Sequence, residues 1–176
     1  PRSTPLYSSA ASDVYKRQFR RRQLDVDYWA IDSTEPFVRI GQEELVHYGL
    51  MPNRFILGSV EDLRGQVDHV LCINVLSNIP NWHLPLVQMS QIAQKTIILR
   101  ESISDRASSM VVRDEFLDPP SELMVHVNTY SRSEITTFLE DRGFIVRMFI
   151  DQRTHGAAEL VIGYPHYWTF LVAERV

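Results

Sequence analysis

Asp32 closes a short apolar run, Tyr28-Trp29-Ala30-Ile31, and Ser33, Thr34 and Pro36 follow it. The run reads as a buried strand and the residues after it as a helix start. Ser33 and Thr34 can cap that helix, and Pro36 suits its first turn, where a missing N–H costs nothing. In open α/β sheets ligands bind outside the carboxyl ends of the strands. A carboxylate ending the second strand of such a unit can accept hydrogen bonds from both hydroxyls of a ribose. The same pattern also suits a plain cap or turn aspartate, and the stretch alone does not choose between the two.

Other side chains with chemistry to offer are His83, Arg100, Glu101, His126 and Tyr130, all predicted at carboxyl ends of strands or in a long aperiodic segment. Each could touch a substrate, and each taken singly also suits a structural or surface place. His155 and His166 are too scattered for a metal site, and no metal-ligand spacing is present. Nor is there a Walker loop or the aromatic-basic interleaving of nucleic-acid modules. Cys72, the single cysteine, lies in an apolar run and reads as a small buried hydrophobe more than as a nucleophile. One cysteine cannot form an intrachain disulfide, so a reducing, cytoplasmic setting is the simplest reading.

The elements that must position these groups follow from period and punctuation. Residues 24–31 read as a strand and residues 35–48 as a helix, with Phe37, Ile40, Glu44, Leu45 and Tyr48 on helical spacing and Gly49 as a stop. Gly41 should weaken that helix by ~1 kcal/mol relative to alanine. Residues 54–57 form a second strand, running into Gly58-Ser59-Val60-Glu61-Asp62-Leu63. Residues 69–73 are continuously apolar, as suits a strand buried on both faces. Trp82, Leu86, Met89 and Ala93 have helical spacing, with Asn81 as cap and Pro85 in the first turn. Residues 96–99 form a strand leading into Arg100, Glu101 and Ser102.

Residues 102–130 have no period, and a loop of that length is usually functional or disordered. Ser131 and Glu134 form a capping box, Ile135, Phe138 and Leu139 make one stripe, and Gly143 ends the helix. Residues 144–150 and 167–173 are strands joined without a helix, by a loop holding Gly156, Gly163 and Pro165. They should therefore pair antiparallel. The sum is an α/β fold: a Rossmann-like, doubly wound, mostly parallel sheet with an antiparallel C-terminal strand lying between its neighbours.

With 176 residues, 44% hydrophobic and 23% charged, the chain suits one domain with a sizeable core. A net charge of -4 argues against a chain-wide nucleic-acid footprint. Arg20, Arg21 and Arg22 with Lys16 and Arg17 read as a solvated basic cluster. No apolar run approaches the ~20 residues of a membrane span. Residues 1–18 are different in kind, with a Ser-rich start and a segment, 13–18, that resembles the translation of a transposon end used in sequencing libraries. Such a scar is excluded from fold reasoning. The alternative is a genuine disordered tail. On the first reading the natural sequence is interrupted at about Phe19, and the domain occupies residues 19–176.

Ala30-Ile31-Asp32-Ser33, Gly58-Ser59-Val60-Glu61-Asp62-Leu63, Asn74-Val75-Leu76-Ser77-Asn78-Ile79-Pro80-Asn81, and Ser133-Glu134 through Gly143-Phe144 occur in that order. Together, over roughly residues 24–176, they resemble the class I S-adenosylmethionine-dependent methyltransferases. The resemblance implies S-adenosyl-L-methionine as cofactor, with Asp32 on its ribose and Ser33 or Thr34 near the adenosine. Where the family often has an aspartate after its third strand, this chain has Ser59, so Val60 would meet the adenine by backbone and apolar contact. Glu61 or Asp62 are the substitute acids. Asn74 would line the pocket near the methionine part, or else serve as a polar cap. The family's glycine-rich turn after its first strand has no counterpart before Asp32, as the interruption at Phe19 implies.

The implied reaction is in-line methyl transfer to an unidentified small-molecule acceptor. In such a displacement orientation alone can be worth ~7–11 kcal/mol, and a general base is needed only if the acceptor must lose a proton. The sequence therefore need not advertise a catalytic residue. Residues 102–130 are expected to fold over the acceptor near Asn74 and Arg100. Two rival readings stay open. One is an NAD(P)-binding Rossmann enzyme, in which an acid after the second strand also holds ribose. The other is a catalytically inactive scaffold that keeps the fold.

Overall fold

The computed structural model describes residues 21–23, 26–47, 51–113 and 124–176. The expectation for residues 1–18 lies outside the described residues. The chain forms two compact units, Pro1–Leu63 and Arg64–Val176.

In the first unit, β1 (Ala30–Asp32) leads through α1 (Glu35–Val46) to β2 (Phe55–Leu57). β1 and β2 pair in parallel, with Ala30 opposite Phe55 and Asp32 opposite Leu57. Ala30 and Phe55 are buried together, with Tyr28 packed on them. The inward face of α1 differs from the expected stripe: Val38 and Gly41 are buried, whereas Ile40 is 50% exposed. The reason is the Phe55 ring, which occupies the space where a Cβ on residue 41 would stand. Gly41 is thus the seat of an aromatic ring, and Gln42 fixes the same contact by donating from Nε2 to the Phe55 carbonyl at 2.9 Å.

The second unit is built on a six-stranded sheet. Its strands are β3 (Val67–Ile73), β4 (Ala93–Ser104), β5 (Ser108–Arg113), β6 (Met124–Ser131), β7 (Phe144–Ile150) and a final strand, Trp168–Arg175. The helices α2 (His83–Ile92) and α3 (Arg132–Glu140) connect them. β3 and β4 are parallel, with Ile73 opposite Arg100. The final strand lies between β4 and β7 and runs antiparallel to both, so Leu171 faces Leu99 on one side and Met148 on the other. This is the placement expected from the helix-free connection.

Ile97, Leu99, Leu171, Ala173, Ile135 and Leu139 have no exposed surface, nor does Leu86 of α2. Helix ends follow the sequence signals. Ser131 Oγ accepts from the Glu134 N–H at 3.4 Å, and Gly143 leaves α3 at φ 80°. Asn81 Oδ1 accepts the His83 N–H at 2.8 Å, although the cap position itself is Trp82.

Two expectations need correction. Residues 102–130 are not one aperiodic loop: β4 continues to Ser104, and β5 and β6 form an antiparallel ladder pairing Met110 with Val127 and Val112 with Val125. β6 then joins β4 in parallel at Ile103 and Ser104. The strand period is present in those alternating residues but is too short and too polar to stand out. The connection 151–166 likewise contains a hairpin, β8 (Glu159–Val161) and β9 (Tyr164–His166). Its two-residue turn, Ile162-Gly163, has φ 49° and 77°, the primed geometry that matches strand twist. The final strand is therefore β10.

Candidate functional site

Where β1 and β2 end, Gly58 N–H donates to the Asp32 carbonyl at 2.9 Å, which levels the carboxyl ends of the two strands. Asp32 is buried, and its Oδ1 accepts the Thr34 N–H at 2.8 Å. The capping contact expected from Ser33 or Thr34 thus comes from the aspartate itself. Ser33 is exposed, and the Thr34 carbonyl accepts from Phe37 and Val38 to open α1. After β2, Ser59 Oγ accepts the Glu61 N–H at 3.3 Å and caps a single turn, Val60–Asp62. Val60 and Ser59 are half-buried, while Glu61 and Asp62 are exposed. Asp32, Ser33, Ser59 and Val60 therefore share the carboxyl edge of one parallel strand pair.

In the second unit, Asn74 follows β3 in the left-handed backbone region, at φ 54°. Asparagine is among the few residues that tolerate this. Its N–H donates to the Arg100 carbonyl at 2.8 Å, and its Oδ1 accepts from Arg100 Nη1 at 2.6 Å. Arg100 turns its Nε and Nη2 to Asp151 Oδ2, at 2.8 and 2.5 Å. The guanidinium lies 4.6 Å above the Trp168 ring. Trp168 Nε1 donates to Glu159 Oε2 at 2.6 Å, and Arg153 clasps the same carboxylate. Burial pushes the Asp151 carboxyl upward, but the Arg153 amide and the Arg100 guanidinium outweigh it and hold the group below its ordinary value. Glu159 is lowered to about 2, chiefly by its hydrogen bond to Arg153. The buried His166 ring sits 4.9 Å from Trp168, and burial lowers its pKa.

Beneath the loop that follows Asn74 lies Glu101, with no exposed surface. Its Oε1 accepts the N–H groups of Val75 and Leu76 at 2.9 and 3.1 Å. Its Oε2 accepts the Ser77 N–H and hydroxyl at 2.9 and 2.7 Å. Burial raises the pKa of this carboxyl above its ordinary value, against those hydrogen bonds. Tyr130 donates its hydroxyl to the Leu76 carbonyl, and Asn128 Nδ2 donates to the Ile79 carbonyl at 2.8 Å. Burial also pushes the Tyr130 phenol up.

Of the residues nominated from sequence, the fold joins Asn74 to Arg100 and places Glu101 and Tyr130 under the same loop. His83 lies elsewhere, stacked on Trp82 at 3.8 Å in a groove with Phe138 and Glu134. His126 is on β6 opposite Val111, with Nδ1 buried and without a partner among the described residues. Sequence reasoning missed Asp151, Glu159 and Asn128. Asp151 carried a usable signal, since it ends the run 144–150 as Asp32 ends its own strand.

The fold can be set beside solved structures. A S-adenosylmethionine-dependent methyltransferase from Methanosarcina mazei superposes with a TM-score of 0.63 at 13% identity, covering 83% of this chain and 80% of that one. The magnesium protoporphyrin IX methyltransferase of Synechocystis, with bound S-adenosylhomocysteine, gives 0.57 at 14%, covering 96% and 83%. The glycopeptide N-methyltransferase MtfA, complexed with S-adenosylmethionine, gives 0.58 at 11%, covering all of both chains. No protein-family model and no curated protein matches the sequence. The likeness shows the fold, which is that of the class I S-adenosylmethionine-dependent methyltransferases.

Proposed function

We propose that this chain is the C-terminal portion, residues 19–176, of an S-adenosylmethionine-dependent methyltransferase acting on a small-molecule acceptor. The observation that supports this reading most is β10, inserted antiparallel between β4 and β7, with β3, β4 and β6 parallel beside it. Solved proteins of this fold hold S-adenosylmethionine or its product. The inserted antiparallel strand also counts against a nicotinamide-dependent Rossmann enzyme. The single thiol, Cys72, is buried and suits a reducing compartment such as the cytoplasm.

In this reading the Asp32 carboxylate accepts from the ribose hydroxyls, its orientation set by the Thr34 amide. Ser33 lies beside the adenosine. Ser59 and Val60 offer backbone and an apolar contact to the adenine ring. Asn74 meets the methionine part. The bound sulfonium supplies a methyl group open to in-line displacement. The chain's own residues align donor and acceptor and exclude water, and no general base is assigned.

The test is calorimetric titration of the full-length protein, with its glycine-rich turn present, with S-adenosylhomocysteine and, separately, with NAD. Binding of the first alone is the expected result. Binding of NAD alone, or of neither, overturns the reading.

A further inference from the structure

Glu101 presents a geometry that neither cofactor contact nor core packing requires. A buried carboxylate without a cation is costly, and such a group commonly neutralises itself instead. Here the compensation comes from one loop. Val75, Leu76 and Ser77 aim three successive N–H groups at the carboxylate, and the Ser77 hydroxyl adds a fourth donor. Successive amides converging on one anion form a concave anion seat. Cys72 Sγ stands 3.7 Å from Oε1, and Ser77 Oγ in turn accepts the Ser102 N–H at 3.0 Å. The loop is thus fastened to β4 through one side chain.

We infer that Glu101 is a positioning residue for the proposed methyl transfer: its ionised carboxylate sets the conformation of residues 74–78, and so the direction in which Asn74 faces the cofactor. This deepens the methyltransferase reading and rests on it. The left-handed backbone of Asn74 is a conformation that a loop does not keep unless its surroundings fix it. Asn74 is tied on its own side by Arg100, and Asn78 Nδ2 reaches back to the Asn74 carbonyl at 2.7 Å. Between those two points Glu101 collects the N–H groups of Val75, Leu76 and Ser77. A carboxylate has room for about four donors, whereas a protonated acid carries a donor of its own and an amide carries two. Protonation or Glu101→Gln therefore sets a donor against a donor and releases the loop.

The titratable groups acting on Glu101 from its neighbours are Cys72 on β3 and Tyr130 on β6. Burial pushes both upward, so both stay neutral through the acid range where Glu101 takes up its proton.

The experiment compares the unsubstituted full-length protein with Glu101→Gln by amide hydrogen exchange and by S-adenosylhomocysteine titration across pH 5 to 8. Exchange at residues 75–77 should quicken by about ten-fold or more in Glu101→Gln, while exchange in the β4–β10 ladder stays unchanged, a pattern of local opening. Affinity should fall by a similar factor. In the unsubstituted chain it should also weaken as pH drops, and this slope should vanish in Glu101→Gln. A merely structural role would leave the two pH profiles parallel, and parallel profiles overturn the proposal. If Glu101→Gln does not fold, Ser77→Ala decides: it removes one donor, and faster exchange confined to residues 75–77 with weaker binding supports the role. Unchanged exchange there overturns it. Absence of any binding by the unsubstituted chain overturns the methyltransferase reading and this role with it. Binding indifferent to Glu101→Gln overturns the role alone.

Discussion

Asn74 and Arg100 grip each other twice, once through the Asn74 N–H and the Arg100 carbonyl at 2.8 Å and once through Nη1 and Oδ1 at 2.6 Å. The second contact uses the arginine's outer edge. Its inner edge is on Asp151, and both partners of that pair are buried. One guanidinium therefore joins the end of β3 to the residue that follows β7.

Breaking that pair from one side should be costly. Removing one partner of a buried ion pair leaves an uncompensated charge and typically costs ~3–5 kcal/mol. Arg100→Met should destabilise by that order in urea unfolding, while Arg100→Met with Asp151→Leu should recover much of the loss. A single substitution costing under ~1 kcal/mol would mean the pair behaves as an exposed one.

Gly41→Ala reverses the usual sign. In a plain helix interior alanine is favoured over glycine by ~1 kcal/mol. Here a methyl at residue 41 meets the Phe55 ring. Overpacking a filled site costs ~1–3 kcal/mol, so the net change should be destabilising. Gly41→Ala combined with Phe55→Leu should relieve part of it, because the clash is with the ring. A rise in melting temperature for Gly41→Ala alone counts against this packing.

Acid should loosen the β8–β9 hairpin through Glu159. Its pKa falls from 4.5 to about 2 in the folded chain. A depressed carboxyl contributes stability that is present above the unfolded value and lost as pH falls through the folded one. The loss should therefore run from about pH 4.5 down to about pH 2. Melting curves of Glu159→Gln should show a weaker fall over the Glu159 window than those of the unsubstituted chain, and curves of equal slope count against the assignment.

The parts legible in sequence are those where one period dominates. Residues 69–73 are apolar without interruption because helix-connected parallel strands are covered, and α3 announces itself through Ser131, Ile135, Leu139 and Gly143. β5 and β6 escaped because Ser109, Asn128 and Thr129 place polar groups in strands whose partners satisfy them. A buried Asn128 looks like a loop residue until Ser109 and Ile79 are found beside it. The inward face of α1 was misread for a related reason: a glycine scores as weak in any helix pattern, yet Gly41 is where the neighbouring strand comes closest. Asp151 and Glu159 depend on partners 51 and 6 residues away, which no local pattern encodes.

Asp32 carries two readings that one pair of substitutions separates. Its Oδ1 holds the Thr34 N–H at 2.8 Å, so some of its effect must be structural. Loss of such a cap costs ~0.5–2 kcal/mol. Asparagine keeps a carbonyl oxygen able to accept from Thr34 but removes the charge. Hydrogen bonds to a charged group are worth ~1.5–3 kcal/mol and neutral ones ~0.5–1.5. Against two ribose hydroxyls, Asp32→Asn should therefore weaken S-adenosylhomocysteine binding about ten-fold, since ~1.4 kcal/mol is a factor of ten. Its melting temperature should stay close to that of the unsubstituted chain. Asp32→Ala should lose both the affinity and the cap. Calorimetric titration and thermal melting on the three chains give the answer together. An Asp32→Asn chain that binds as well as the original leaves Asp32 as a cap alone, and the ribose role then falls.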